Sequence, residues 1–415
     1  MSTVIRAKQI PLYPENGKGE WDFTSEPTQY LTHGLHPYLA SMIPQIPDKL
    51  LTMYADDKTR VLDPFVGGGA VLVETYLRGL EGVGLDVNPL AIILSKAKTT
   101  YIPEATLVDA LRKFLNVHAH AKPVTKFDNA SKVDFWFKSK TIRQLIQIKS
   151  AIDVVVDDTA TLYRAKLKTL LDCIFSNTVR DVSLTYRGEV RLRKLQDKDL
   201  ERFNPNAVVE FEKRWKESIA RVSSLPKHNT RPEIVSQDCR TIPYDDNHFN
   251  LVITSPPYGD MKNTIPYHQF SKNMLYWLGF GDTDLKQMSD SALGAKDGDK
   301  KTPKSVTLSD AISHMKKPNL IHEAVCFYAD YFDALKEIAR VTKDRIVIVI
   351  GHRILDGTVI DNPAITTELM ANIGWRLEDR FNRGIRKKRL NRAMGFGNNA
   401  QGATIDSEAI LIYSR

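Results

Sequence analysis

The sequence predicts an α/β fold: a doubly wound, mostly parallel sheet with a largely helical segment inserted after its first strands. Three observations carry this. Val61-Leu62-Asp63 leads through Gly67-Gly68-Gly69 into a helical pattern, the strand, glycine turn and helix unit of nucleotide-binding sheets. Phe249–Thr254 and Arg345–Ile350 are short apolar runs that read as buried strands, the second wholly β-branched at its centre. Between them, Ile321–Val341 repeats apolar residues at helical spacing, with Val325, Phe332, Leu335 and Ile338 on one stripe.

Taken in order, Thr32-His33-Gly34-Leu35-His36-Pro37-Tyr38 precedes a helix rich in Ile43, Ile46, Leu50 and Leu51. His33 and His36 have no third metal ligand nearby, so they read as turn and cap residues, and no metal is expected. Val61-Leu62 ends a strand at Asp63-Pro64-Phe65, and the glycines that follow allow close ligand approach. Ala70–Leu80 reads as the next helix. Gly82-Val83-Gly84-Leu85-Asp86 is a second strand ending in an acid, placed to accept hydrogen bonds from ribose hydroxyls, with Val87 after it. Asn88 then caps a helix that has Pro89 at its first position. A nicotinamide cofactor also suits such a turn, although the full dinucleotide fingerprint is missing.

Residues 101–230 lack glycine-punctuated strands. Ile142–Asp157 and Leu162–Phe175 read as helices, and Phe135-Trp136-Phe137 as core. Ile234–Ser236 is a short strand followed by Asp238 and Cys239. After Phe249–Thr254 comes Ser255-Pro256-Pro257-Tyr258. Its prolines stop the strand, leaving the loop carbonyls free to face a ligand. An exocyclic amine fits between Ser255 Oγ and the Pro256 carbonyl, with its ring on Tyr258. Gly294–Ser305 has no apolar anchor and is expected to be mobile without substrate. Trp375–Phe381 and Ala409–Tyr413 close the sheet. Asp63, Asp86, Asp238 and Ser255 all fall at strand carboxyl ends, where ligands of such sheets bind.

The net charge of +8 is uneven. Residues 101–230 hold 24 lysines and arginines against 16 acids, so the whole excess falls there and points to a polyanionic partner. Arg180, Arg187, Arg191, Arg193 and Lys194 are interleaved with Ser, Thr and Tyr, a phosphate-contacting mixture. A second basic run, Arg383, Arg386, Lys387, Lys388, Arg389 and Arg392, contains no acid. No apolar run of membrane-spanning length and no secretory leader is seen. The three cysteines have no paired spacing, which suggests a reducing, cytoplasmic setting.

On the tetrad, the glycine turn and the acids after them, the chain resembles the S-adenosylmethionine-dependent amino-group DNA methyltransferases. That resemblance implies a Rossmann-like class I methyltransferase sheet formed by residues 1–100 and 231–415, with 101–230 as a DNA-recognition insertion. It implies that Tyr38, Asp63, Pro64, Phe65 and Gly67–Gly69 surround the methionine part of S-adenosylmethionine. Asp86 and Val87 would hold its ribose, and Asp238 and Cys239 its adenine. Ser255, Pro256, Pro257 and Tyr258 would form the target pocket, with the base flipped out of duplex DNA. None of the cysteines follows a proline, which excludes the cysteine-dependent methylation of cytosine carbon 5. Serine at the head of the tetrad favours cytosine N4 over adenine N6. An RNA base methyltransferase and a catalytically inactive DNA-binding protein rank below these. A companion restriction endonuclease is a further expected partner.

Overall fold

The computed structural model describes residues 19–120, 133–186, 192–259, 267–295, 298, 300–384 and 407–415. The strands among the described residues are β1 (Arg60–Asp63), β2 (Glu81–Asp86), β3 (Glu233–Ser236), β4 (Phe249–Thr254), β5 (Thr342–Gly351), β6 (Arg353–Leu355), β7 (Thr358–Ile360), β8 (Arg376–Gly384) and β9 (Ser407–Ser414). Seven of them form one sheet in the order β3-β2-β1-β4-β5-β9-β8, and β6 and β7 pair as a separate hairpin. The five strands from β3 to β5 run parallel, while β9 is antiparallel to both β5 and β8.

The helices among the described residues are α1 (Gln45–Tyr54), α2 (Ala70–Leu77), α3 (Pro89–Lys98), α4 (Glu104–Val117), α5 (Val133–Trp136), α6 (Ser139–Asp157) and α7 (Thr161–Val182). They continue as α8 (Asp197–Arg202), α9 (Ala207–Ser223), α10 (Tyr267–Leu278), α11 (Asp282–Ser291), α12 (Val306–Ser313), α13 (Pro318–Val341) and α14 (Asn362–Ala371). Strand alternation decides the layers. Val347 and Val349 face Ile46, Leu50 and Val71 of α1 and α2. Ile346, Ile348 and Ile350 face Tyr331, Leu335 and Leu369 of α13 and α14. Both sheet faces are therefore covered, as the apolar run in β5 requires. A third core belongs to the insertion. Phe114, Leu145, Leu171, Phe211 and Trp215 pack there together with Leu90 and Leu94 of α3 and Trp277 of α10. The insertion shares its core with the sheet's own helices.

Several boundaries differ from expectation. α2 stops at Leu77 because Gly79 is left-handed (φ +70°) and its N–H turns back to the Tyr76 carbonyl. α7 continues seven residues past Phe175 to Val182, which puts Arg180 on a helical turn and not in a loop. Gly294 and Lys300 are tied to the helix α13. Asp330 on α13 accepts the Gly294 N–H at 2.8 Å and Lys300 Nζ at 2.5 Å, an anchor with no local sequence signature. Phe137 is core, edge-on to Trp277 at 5.6 Å. Phe135, however, is 46% exposed, since α5 is only one turn long.

Gly69 N-caps α2 at φ +79°, and a Cβ there would lie 2.8 Å from Ser95 Oγ and 3.1 Å from its Cα on α3. Gly69→Ala is expected to destabilise the fold by about 1–3 kcal/mol, read as a lower urea midpoint with an unchanged slope. A loss within about 0.3 kcal/mol would contradict this packing.

Candidate active site

The parallel strands bring their carboxyl ends to one side. Asp63 ends β1, Asp86 ends β2, and Ser255 directly follows β4. These strands are neighbours in the order β2-β1-β4, so their terminal residues converge on one cavity of about 230 Å³. Its floor includes Asp63, Pro64, Phe65, Gly67 and Gly68. Tyr38 closes one side, and Asp86, Val87, Asp238 and Cys239 another. Ser255, Pro257 and Gly259 form the wall contributed by the diproline loop. Gly69 does not line the cavity; it is packed under Ser95.

Asp63 is the hinge of the arrangement. Thr254 Oγ1 donates to its Oδ1 at 2.7 Å and the Phe65 N–H to the same oxygen at 3.2 Å. Burial pushes its carboxyl up to about 7 against those two hydrogen bonds. Asp86 accepts the Gly67 N–H at 3.0 Å on one oxygen and the Asn88 N–H at 2.8 Å on the other, so it pins the glycine turn to the end of β2. Burial raises its carboxyl to about 6. Both acids keep lone pairs able to accept from a bound ligand. Asn88 caps α3 as expected and also donates to Tyr38 Oη at 3.0 Å and Ser271 Oγ at 2.9 Å.

Asp238 is held by a partner that the sequence reading missed. Arg240 Nε lies 3.0 Å from each of its carboxylate oxygens and Nη2 lies 2.6 Å from Oδ2, while Nη1 reaches Asp330 at 2.9 Å. Arg240 Nη2 also donates to the Ser291 carbonyl at 3.1 Å, so the acid after β3 is wired to the Ser289–Gly294 wall of the cavity. Cys239 is buried, and its thiol is pushed far up by burial, which makes it inert.

The diproline loop is fixed from behind. Tyr258 does not line the cavity; its hydroxyl donates to Glu408 Oε1 at 2.8 Å and its carbonyl accepts from Asn362 Nδ2 at 3.2 Å. Asn362 also donates to the Gly351 carbonyl at 2.9 Å, tying the loop to the end of β5. At Gly259 (φ +89°) a Cβ would collide with the Arg353 guanidinium and the Phe327 ring. Arg353, 1% exposed, donates to Glu323 at 2.9 Å. Pro256 is buried and sits outside the lining.

The basic residues divide. Arg180 stacks over Phe270 with 4.6 Å to the ring centre, and Phe270 is edge-on to the cavity-lining Tyr38 at 6.0 Å, so two aromatic rings connect Arg180 to the cavity. Arg193 covers the Tyr186 ring at 3.9 Å and Lys194 the exposed Phe135 ring at 4.1 Å. Arg383 departs from its expected open position. It is 8% exposed and ion-paired to Glu408 at 2.8 Å, because β8 pairs with β9 and sets Arg383 directly against Glu408. Arg187, Arg191, Arg386, Lys387, Lys388, Arg389 and Arg392 lie outside the described residues. Among the described residues, no helix is long and apolar enough to cross a membrane.

A seven-stranded, mostly parallel sheet with a glycine turn after its first strand and acids after the next two defines an S-adenosylmethionine-dependent methyltransferase. The Type II methyltransferase M.MvaI of Kocuria varians is 31% identical over 407 residues, covering 89% of this chain and 87% of its own. The chain belongs to the Type II methyltransferases, a family of DNA methyltransferases, and it uses S-adenosylmethionine. The Type II methyltransferase M.BsoBI of Geobacillus stearothermophilus is 22% identical over 262 residues, 56% of this chain and 50% of its own. No family model matches the sequence. Among solved structures, an SAM-dependent methyltransferase from Methanosarcina mazei overlaps 88% of this chain and 96% of its own at 8% identity, with a TM-score of 0.32, too loose to say more. The residues of this cavity fit the cofactor in charge: the buried Asp63 and half-buried Asp86 face a ligand that carries two cationic centres and a ribose.

Asp63 and Asp86 titrate above the ordinary carboxyl value of 3.8, so between about pH 4 and 7 the folded chain binds more protons than the unfolded one. Their contribution is therefore most favourable at low pH and is lost as pH rises through 6 to 7. Asp63→Asn keeps an acceptor for Thr254 without the charge. In the ligand-free protein it is expected to raise stability by on the order of 1–2 kcal/mol near pH 8 and to change it little near pH 5. Equal shifts in melting temperature at both values would contradict the buried-carboxyl account.

Proposed function

We propose that this methyltransferase transfers the methyl group to the exocyclic N4 of cytosine in double-stranded DNA. The observation that carries the reading is the position of Ser255: it heads the diproline loop and lines the same cavity as Gly68, Asp63 and Asp86. A base amine entering that wall meets an acceptor hydroxyl and a loop whose carbonyls are not used by a strand. The amine nitrogen is a poor nucleophile while its lone pair is shared with the ring. A hydrogen bond to Ser255 Oγ favours its more tetrahedral form. When bound, S-adenosylmethionine would supply the methyl group from its sulfonium, leaving the neutral thioether S-adenosylhomocysteine, while the amine nitrogen gives up a proton to solvent. The chain's contribution is to orient the amine toward that methyl and to exclude water.

The roles of the other residues follow from the same placement. Asp86 accepts from the ribose, Asp238 with Cys239 borders the adenine, and Asp63 faces the methionine part. Pro257 borders the flipped base, while Tyr258, outside the cavity lining, holds the loop in place through Glu408. The helical insertion of residues 101–230 takes the DNA-recognition role. Arg180, Arg193 and Lys194 meet the phosphates there, each already desolvated on one side by an aromatic ring. A paired restriction endonuclease would recognise the same site. Serine at the tetrad head supports cytosine over adenine.

Incubation with methyl-labelled cofactor and duplex DNA, then digestion to nucleosides, tests the base. Label is expected in N4-methyldeoxycytidine; label in N6-methyldeoxyadenosine would overturn the choice. Ser255→Ala is expected to lower kcat by about 10²-fold or more while leaving cofactor affinity within about twofold. Equal losses in both would remove Ser255 from the chemistry.

A further inference from the structure

The site chemistry above leaves a buried cation unused. Lys98, the last residue of α3, is 4% exposed. Its Nζ donates to the Gly68 carbonyl at 3.0 Å and to the His36 carbonyl at 3.1 Å, and among the described residues no carboxylate pairs with it. Burial lowers its pKa to about 8. A neutral amide can tie two carbonyls together without the desolvation cost of an ammonium, so the charge itself needs a reason. Its surroundings are positive. His36 is 1% exposed with Nε2 unpartnered, and it feels Lys98, Arg180 and Arg214 together, which with burial keeps it neutral.

The wall in front of Lys98 has the same polarity. Gly68 lies over the ammonium, and Gly69 opens α2 with no side-chain cap and no acid in the first turn. Gly68, Ala70 and Val71 all line the cavity. The positive end of α2 and the Lys98 charge therefore add on one wall. Elsewhere the lining is acidic, with Asp63, Asp86 and Asp238, and Arg240, beside Asp238 but outside the lining, is already shared by two carboxylates. A ligand with cationic centres and one carboxylate has a single favourable orientation in this field.

We infer that Lys98 is a positioning residue for the cofactor: held behind Gly68, its ammonium is the fixed counter-charge for the α-carboxylate at the cofactor's amino-acid end. This rests on the reading of the cavity as the cofactor site. It makes the α2 wall the carboxylate end and orders the remaining contacts, so that the sulfonium falls toward Asp63 and the diproline loop.

Calorimetric titration with S-adenosylhomocysteine and with its decarboxylated analogue tests the inference without relying on turnover. The wild-type protein is expected to bind the carboxylate-bearing ligand at least about tenfold more tightly. Lys98→Gln, which keeps two N–H donors, and Lys98→Met, which keeps the stem, are each expected to bring the two ligands to within about twofold while the decarboxylated ligand binds as before. The folded variant of the two gives the reading. Equal affinities in the wild type, or retained discrimination in a variant, would overturn the role of Lys98. So would a parallel loss for both ligands, which marks a purely structural lysine. Wild-type protein that binds neither ligand would instead defeat the cavity assignment on which the inference stands.

Discussion

The site depends on one buried hydrogen bond, from Thr254 Oγ1 to Asp63 Oδ1 at 2.7 Å. Thr254 is the last residue of β4 and Asp63 the last of β1, and the two strands are adjacent and parallel. The bond locks their ends at one level, so the glycine turn after β1 and the diproline loop after β4 emerge side by side. Methyl transfer needs two ligands in one crevice, and this contact is where the two halves of the crevice meet. The two residues it joins are 191 positions apart in sequence, so only the sheet register brings them together.

The cost of this arrangement is visible in the electrostatics. Asp63 is buried and Asp86 half-buried, both with raised pKa values and with the Thr254 hydroxyl and backbone N–H groups, not cations, as their partners. Lys98 is buried on the opposite side of the glycine turn with carbonyls as its partners. Separated charges of both signs, each denied a direct partner, are unfavourable in the empty protein and favourable toward a zwitterionic ligand with an added sulfonium. The rigidity that keeps them apart comes from below. The β5 core is buried on both faces, and Asn362, Glu408 and Arg353 brace the diproline loop from behind.

Much of this was legible in the chain. Strand ends carrying Asp63, Asp86 and Ser255 follow from apolar runs stopped by glycine or proline, which are local signals. The Asn88-Pro89 cap and the face alternation of β5 are local too. What the sequence did not disclose was long-range pairing. Arg240 sits two residues from Asp238, yet it is also paired with Asp330 on α13, far away in sequence. Glu408 draws Arg383 out of the basic run, because strand register is invisible to a count of charges. The anchoring of Gly294 and Lys300 by Asp330 had the same origin, as did the choice of Lys98, which reads locally as an ordinary helix-ending lysine. The insertion was read as helical, but its shared core with α3 and α10 depends on Trp277, Leu90 and Leu94 meeting residues far away in sequence.

The most direct measurement is a crystal structure of the ternary complex with S-adenosylhomocysteine and a duplex carrying the recognition site. The account requires the sulfur to lie over the Asp63–Thr254 contact, with an extruded base whose amine is beside Ser255 and within about 4–5 Å of the sulfur, the reach of a transferred methyl. A cofactor seated away from Gly68, or a target base still stacked in the duplex and remote from Ser255, would contradict it.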